Sequence, residues 1–345
     1  MKKLILLIVL IYTPYILYSQ SVVFLHHSTG GNVFAEGKVQ NWFTNYNQTN
    51  GKSYQITERG YPDSPYPWEN YPYDFWNLWV NNACNSAQPG IECLNTLAEK
   101  YDVIILKHCF PGAGIEADNG TPDVTSKSKT LENYKAQYRA LRQKFDEYPN
   151  TKFIVWTLAS LHRLATNDAQ TERAVQFVDW VRNDWLNEDQ IAEDNVYVFD
   201  FWALTAEHSD NPANGKKNCL KYEYERSHSD GDSHPNTAAN LVAGPAFAQF
   251  IVDVIEGKVN SVKDEGNTLS ISPNPAGDFI TVTLKPSEGF EPSEGSAISI
   301  YNTLGEIVIY VGTRHAVSVR INISDLPKGM YFLKVDGETA KFVKM

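Results

Sequence analysis

The chain has 345 residues, 42% hydrophobic and 21% charged, which places it among globular proteins rather than disordered ones. Its formal net charge is −11, with Asp+Glu 41 against Lys+Arg 30. That balance argues against a nucleic-acid binder or a protein that docks on anionic lipid, since both need clustered Lys and Arg. Four cysteines are too few for a disulfide-dense miniprotein.

Residues 1–20 read as a secretory signal peptide. Lys2 and Lys3 precede an apolar run from Leu4 to Tyr18, and Ser19-Gln20 ends it. No second segment reads as a membrane span, so the mature protein is expected to be soluble. Export through an oxidising route permits disulfides. Cys84 and Cys93 flank a loop and suit a local bridge, and Cys109 and Cys219 remain as a possible second pair. Neither the cysteines nor the histidines have zinc-ligand spacing, and no cofactor is implied.

Residues 21–260 alternate short apolar runs with helical periodicity. Val22–Leu25, Tyr101–Leu106, Phe153–Leu158 and Val196–Phe199 suit buried parallel strands. Leu131–Tyr148, Thr171–Trp185 and Ala238–Ile255 carry apolar residues at helical spacing. The expectation is an α/β domain with a doubly wound parallel sheet, and sites at the carboxyl ends of its strands.

Two segments carry candidate chemistry. The first strand runs into His26-His27-Ser28-Thr29-Gly30-Gly31-Asn32, which places a serine at a strand end before a glycine pair. Only one of His26 and His27 can face a site there, because side chains alternate along a strand. Near the last helix stands Ser229-Asp-Gly-Asp-Ser-His-Pro-Asn236. A third segment, Trp42 to Trp79, holds twelve aromatic residues and three Tyr-Pro pairs. Flat rings of this kind stack on sugars or acyl groups, with Glu69, Asp74 and Asn77 as polar contacts.

Ser28 near the start and Asp232/His234 near the end resemble the SGNH (GDSL-like) hydrolases. The resemblance implies an SGNH/flavodoxin-like three-layer sandwich and a serine esterase. Ser28 is then the nucleophile, His234 the general base, and Asp232 its carboxylate, with Asp230 as the alternative. The family's Gly-Asp-Ser block is His26-His27-Ser28 here, and the position three before the histidine is Gly231. The Gly-x-Asn-Asp block that supplies an oxyanion donor is replaced by Lys107-His108-Cys109-Phe110-Pro111-Gly112. Asn32, or backbone N–H groups near Ser28 and Gly31, are the substitutes. Lys107 and His108 are either substrate contacts or part of a buried ion pair. The substrate implied is an ester, in particular an acylated polysaccharide. Two other readings are a silent carbohydrate- or surface-binding protein on the same fold, and a metal-dependent hydrolase using His228, Asp230, Asp232 and His234.

The chain changes character near residue 260. Residues 261–267 are polar and read as a linker. Residues 268–345 lack Trp and Cys and alternate in strand fashion between turn residues, as a small antiparallel β-sandwich would. Within them stand Ser270-Ile-Ser-Pro-Asn-Pro-Ala-Gly-Asp-Phe279, Ile298-Ser-Ile-Tyr-Asn-Thr-Leu-Gly305, Ile323-Ser-Asp-Leu-Pro-Lys-Gly-Met-Tyr-Phe332 and Lys341-Phe-Val-Lys344. These four motifs in order resemble the type A C-terminal sorting domain of the type IX secretion system. The resemblance implies that secretion machinery as partner, passage through the outer membrane, and a secreted or cell-surface destination.

Overall fold

The computed structural model describes residues 20–189, 191, 193–259, 269–284, 297–302, 306–312, 318–335 and 338–345. The segments read as signal peptide (all but Gln20) and linker, and the end of the Asn302–Gly305 turn, lie outside the described residues.

The first part of the chain is a five-stranded parallel sheet. Its strands are β1 (Ser21–His26), β2 (Gln55–Gly60), β3 (Val103–Leu106), β4 (Lys152–Trp156) and β5 (Val196–Phe199), in the order β2-β1-β3-β4-β5. Among the described residues eight α-helices accompany them: α1 (Ser28–Glu36), α2 (Val39–Asn50), α3 (Pro72–Phe75), α4 (Leu94–Ala98), α5 (Leu131–Phe145), α6 (Asp168–Asn183), α7 (Phe201–Thr205) and α8 (Thr237–Ile255).

Alternation along β1 builds both layers. Val22 and Phe24 face a core completed by α1, α2 and α8, while Val23 and Leu25 face one completed by α3 to α6. This is the doubly wound arrangement, and the order reverses direction between β1 and β3. Strands covered on both faces read as continuous apolar runs, which is why β1, β3, β4 and β5 stand out in the sequence. β2 does not, because it is an edge strand whose only buried residue is Ile56.

α8 corrects one sequence expectation. It has 19 residues and mean hydropathy 1.5, long and apolar enough by those measures to cross a membrane. Half of that window is buried in the fold, where Ala243, Phe247, Ile251 and Val252 pack on the sheet, so its apolarity is that of a core helix.

The cysteines also divide differently from the expectation. Cys84 and Cys93 are bridged, with Cα atoms 5.0 Å apart. Cys109 and Cys219 are not paired. Each is a buried free thiol, Cys109 at the end of β3 against hydroxyl groups of α1 and Cys219 beside the Ala206–Leu220 bridge.

The tail forms two antiparallel sheets. One is β10 (Ser318–Asn322), β7 (Phe279–Leu284) and β6 (Leu269–Ser272). The other is β12 (Glu338–Lys344), β11 (Gly329–Val335), β8 (Ala297–Tyr301) and β9 (Ile307–Gly312). Inward residues of both, among them Ile280, Val282, Ile300, Ile321, Leu333 and Phe342, share one core, as in a β-sandwich.

Candidate active site

The site forms at the carboxyl ends of β1 and β3, at the point where the strand order reverses. His27 ends the extended chain of β1, and Ser28 is the first residue of α1. Gly30 follows in the first turn because a Cβ there would lie 2.5 Å from the Cβ of His26 and 2.9 Å from Cδ of Lys107. The glycine therefore lets the helix begin directly against two strands. The N–H groups of Gly30 and Gly31 both donate to the His27 carbonyl, at 2.8 and 3.1 Å. Gly31 is thus spent within the helix and leaves no donor for substrate, contrary to the sequence expectation. Asn32 lies one turn beyond Ser28 on α1 and is half-buried.

The structure brings Ser28, His234 and Asp232 into one hydrogen-bonded line. The exposed Ser28 hydroxyl donates to His234 Nε2 across 2.8 Å, and His234 Nδ1 donates to Asp232 Oδ1 across 2.6 Å. The same carboxylate oxygen accepts the His234 backbone N–H at 3.0 Å. Burial alone would raise the Asp232 pKa, but the hydrogen bonds from the His234 backbone and ring outweigh it and hold the carboxyl below its usual range. Asp230 does not reach the histidine ring: its carboxylate accepts the Asp232 N–H at 3.0 Å and closes a turn. Gly231 sits in that turn with φ +77°, where only glycine is unstrained. That is why glycine takes the place three before the histidine.

The loop that carries Asp232 and His234 is anchored from below. Glu225 is buried and accepts a hydrogen bond from His228 Nδ1 (2.8 Å), and its carboxylate lies 3.0 Å from His162 Nε2, which is hydrogen-bonded to the Ser227 carbonyl, and 3.1 Å from Arg163 Nε. His162 Nδ1 accepts the Leu164 N–H, which fixes its other nitrogen as the donor. The His162 N–H reaches Ser233 Oγ at 2.8 Å, and Arg163 donates to the His228 carbonyl at 2.6 Å. Beyond His234, Asn236 caps α8 through Ala239 N and ties back to the carbonyls of Glu223 and Glu225. Phe110 meets the His234 ring edge-on at 4.8 Å. Sequence reading missed this support because its members come from four separate segments.

Lys107 and His108 are both fully buried and cannot touch a bound substrate. Past the end of β3 the chain continues under α1 instead of opening to the cleft. The Lys107 ammonium has no hydrogen-bond partner among the described residues, so the expected ion pair is absent too. Burial lowers its pKa. His108 turns to the opposite layer, where Nε2 meets the Tyr138 hydroxyl at 2.8 Å, and burial lowers its pKa to about 3.

Besides Phe110, the residue of this segment that reaches the site is Cys109. Its Sγ lies 3.4 Å from Ser28 Oγ and 3.2 Å from Thr29 Oγ1. Burial pushes this thiol up, but the Lys107 charge and the two hydroxyls more than offset it and bring its pKa below the ordinary value. Cys109 N–H donates to Oδ1 of Asn70, a buried residue with φ +59°. Asn70 is held by Asp74, whose carboxylate accepts the N–H groups of Glu69, Asn70 and Tyr71 at 2.9, 2.6 and 3.4 Å. Burial raises the Asp74 pKa to about 6 against the pull of those bonds. Asp74 is therefore a loop cap and not the polar contact for substrate that the sequence suggested. Glu69 pairs with Lys129, and Asn77 donates to the Tyr66 hydroxyl.

Of the two strand-end histidines, His26 is the core one. It is bonded to Glu58 at 2.6 Å, and burial lowers its pKa. His27 faces the cleft, with Nε2 on the Pro62 carbonyl at 2.6 Å and its ring stacked on Trp68 at 3.5 Å. Burial holds its pKa at about 4. Among the described residues no cluster of three or more His, Cys, Asp and Glu is placed to hold a metal ion.

Comparisons with known proteins bear mainly on the tail. No curated protein matches the chain. A DUF3244 family protein with an immunoglobulin-like β-sandwich fold, from Bacteroides vulgatus, is similar at 17% identity and TM-score 0.19. The match covers 23% of this chain and 85% of that one. A gut microbial diltiazem-metabolizing enzyme is similar at 12% identity and TM-score 0.38, over 89% of this chain and 72% of that one. Residues 270–345 match the family profile described as "Secretion system C-terminal sorting domain". The tail is thus a sorting domain of the type IX secretion kind, which marks the chain for export by that machinery to a secreted or cell-surface destination.

Proposed function

We propose that the first part of the chain, residues 21–260, is an SGNH-like serine esterase that removes acyl groups from a polysaccharide, and that the tail only delivers it. The observation that carries this reading is the line Asp232–His234–Ser28, with its two hydrogen bonds of 2.6 and 2.8 Å. The Asp232 carboxylate holds the Nδ1–H tautomer, so Nε2 presents its lone pair to the serine hydroxyl. As Ser28 Oγ attacks an ester carbonyl, its proton passes to Nε2 and the imidazolium is stabilised by Asp232. The tetrahedral oxyanion forms at the N-terminus of α1. There the Ser28 N–H has no intrahelical partner, and the helix dipole favours negative charge. The imidazolium then protonates the leaving alcohol. A water, deprotonated by the same imidazole, releases the acyl group from Ser28.

A serine hydroxyl also forms such lines in proteins without catalysis, so activity decides the matter. Purified protein should hydrolyse p-nitrophenyl acetate, and Ser28→Ala should lose that turnover by at least about a thousandfold with its fold intact. A silent binding protein would show no turnover in either form. Retention of turnover by Ser28→Ala would remove the serine from the mechanism.

A further inference from the structure

Twelve aromatic side chains crowd the segment from Trp42 to Trp79, and the fold gives them different fates. Phe43, Tyr54, Tyr61, Tyr71, Phe75 and Trp79 are buried in the two cores of the parallel sheet, and Trp76 is buried beside Tyr73. Trp42 and Tyr46 stack on each other over α2, and Tyr46 and Tyr54 share Glu256 as a hydrogen-bond acceptor. Tyr66 and Tyr73 are half-buried against the core. One ring of the segment remains substantially exposed. Trp68 is 40% accessible and packs on the residue that precedes Ser28. One face of its indole rests on the His27 imidazole, with ring centres 3.5 Å apart and planes 19° apart. His27 in turn immediately precedes Ser28.

This contact is built, not incidental. His27 is locked by its bond to the Pro62 carbonyl. The Trp68 loop is closed by Trp68 N–H to the Tyr66 carbonyl (2.9 Å) and Tyr66 N–H to the Asp63 carbonyl (3.1 Å). Just beyond Trp68, Asn70 and Asp74 tie the loop to β3 through Cys109. A large apolar ring is thus held rigidly at the edge of a polar catalytic line, where leaving it in water costs free energy.

We infer that Trp68 is the platform on which the ring of a sugar ester lies while its acyl group is presented to Ser28. This rests on the esterase reading above and deepens it by naming the residue that holds the sugar ring of the substrate. A sugar ring has an apolar C–H face and a rim of hydroxyls, and the surroundings of Trp68 match both. Its ring offers a flat apolar surface backed by an imidazole whose burial keeps it neutral, so the π-face stays electron-rich. Asp63, Ser64 and Glu69, close in sequence and all exposed, bring carboxylates and a hydroxyl to the same loop. A long aliphatic acyl chain would need a walled apolar channel, whereas Pro65, Pro67 and Glu69 around this ring are exposed too.

The test compares two acetate esters on the full chain, glucose pentaacetate with a ring and glycerol triacetate without one. Trp68→Ala should lower the ratio of kcat/KM for the ring ester over the open-chain ester about tenfold, mainly through KM. Trp68→Phe should restore most of the ratio, since it keeps a flat face. In the Ser28→Ala background, which does not turn over, binding of glucose pentaacetate measured by calorimetry should weaken on adding Trp68→Ala. An unchanged ratio in Trp68→Ala, together with unchanged calorimetric binding, would overturn the platform while leaving the esterase reading in place. If the wild type hydrolyses neither ester, the esterase reading fails and the platform falls with it.

Discussion

Asp232 accepts two hydrogen bonds from His234, one from the backbone and one from the ring. A two-residue spacing suffices because the carboxylate folds back over its own turn, which Asp230 and the left-handed Gly231 close from the other side. The two aspartates therefore do different work, and their amides should separate them. Under the proposed mechanism Asp232→Asn puts an amide where the carboxylate would stabilise the developing imidazolium, and kcat should fall by several orders of magnitude. Asp230→Asn keeps an acceptor for the Asp232 N–H, and kcat should stay within about threefold. Steady-state kinetics on the two variants checks this, and equal losses would mean that the turn rather than the charge is at stake. Ser28, Asp232 and His234 were legible in the sequence because each sits at a point where a regular element meets a turn. Lys107 and His108 were misread for the same reason: a strand end does not say which side chain the next turn will bury. Trp68 could not be told from its eleven aromatic neighbours, since only tertiary packing separates a core ring from an exposed one.

At the scale of elements, the position of Ser28, the proposed nucleophile, depends on how α1 is seated between β1 and α8. The far end of α1 meets α8 almost backbone to backbone. A Cβ on Gly244 would lie 2.4 Å from the Gly37 carbonyl oxygen and 2.6 Å from its Cα, and a Cβ on Gly37 would lie 2.8 Å from the Gly244 Cα. Asn240 and Glu36 lock the same crossing by a 2.8 Å hydrogen bond, and Arg226 joins Glu36 at 2.8 Å. α8 begins three residues after His234, so this crossing sets the distance between His234 and Ser28. Gly244→Ala should force the helices apart and cost about 1–3 kcal/mol, as overpacking does. Chemical denaturation checks the stability, and turnover should fall with it because the hydrogen bond between His234 and Ser28 lengthens. A variant as stable as the wild type would show that the crossing has room. None of this was legible beforehand. α1 was hidden by its two early glycines, which weaken helix propensity, although the close approach of His26 and Lys107 requires the first of them, Gly30. β2 was hidden because an edge strand needs only one buried side chain. The long helices α5, α6 and α8 were plain, since each buries a continuous stripe.

The whole molecule carries several buried titratable groups outside the catalytic line, and their signs differ. His27 and His108 have folded pKa values of about 4 and about 3, both through burial, against about 6.5 for an imidazole in the unfolded chain. Between those values the unfolded chain binds more protons. Each histidine therefore contributes stability that is complete above about pH 6.5 and is lost as the pH falls towards its folded value. Asp74, raised by burial to about 6, acts in reverse: its contribution is complete below the unfolded carboxylate range and is lost as the pH rises through 6. Total stability therefore sums opposing slopes, and the fully buried His108 is best isolated by difference. His108→Gln keeps a donor for the Tyr138 hydroxyl and removes the titration. The wild type should lose about 1–2 kcal/mol more than this variant between pH 7 and pH 5, since each pH unit below the unfolded pKa costs about 1.4 kcal/mol per group. Urea unfolding at the two pH values measures that difference. Parallel losses in the two proteins would mean that the His108 imidazole titrates alike in the folded and unfolded chains, and that the α3–α5 side of the core admits a charge that its packing against Phe75 and Tyr138 should forbid.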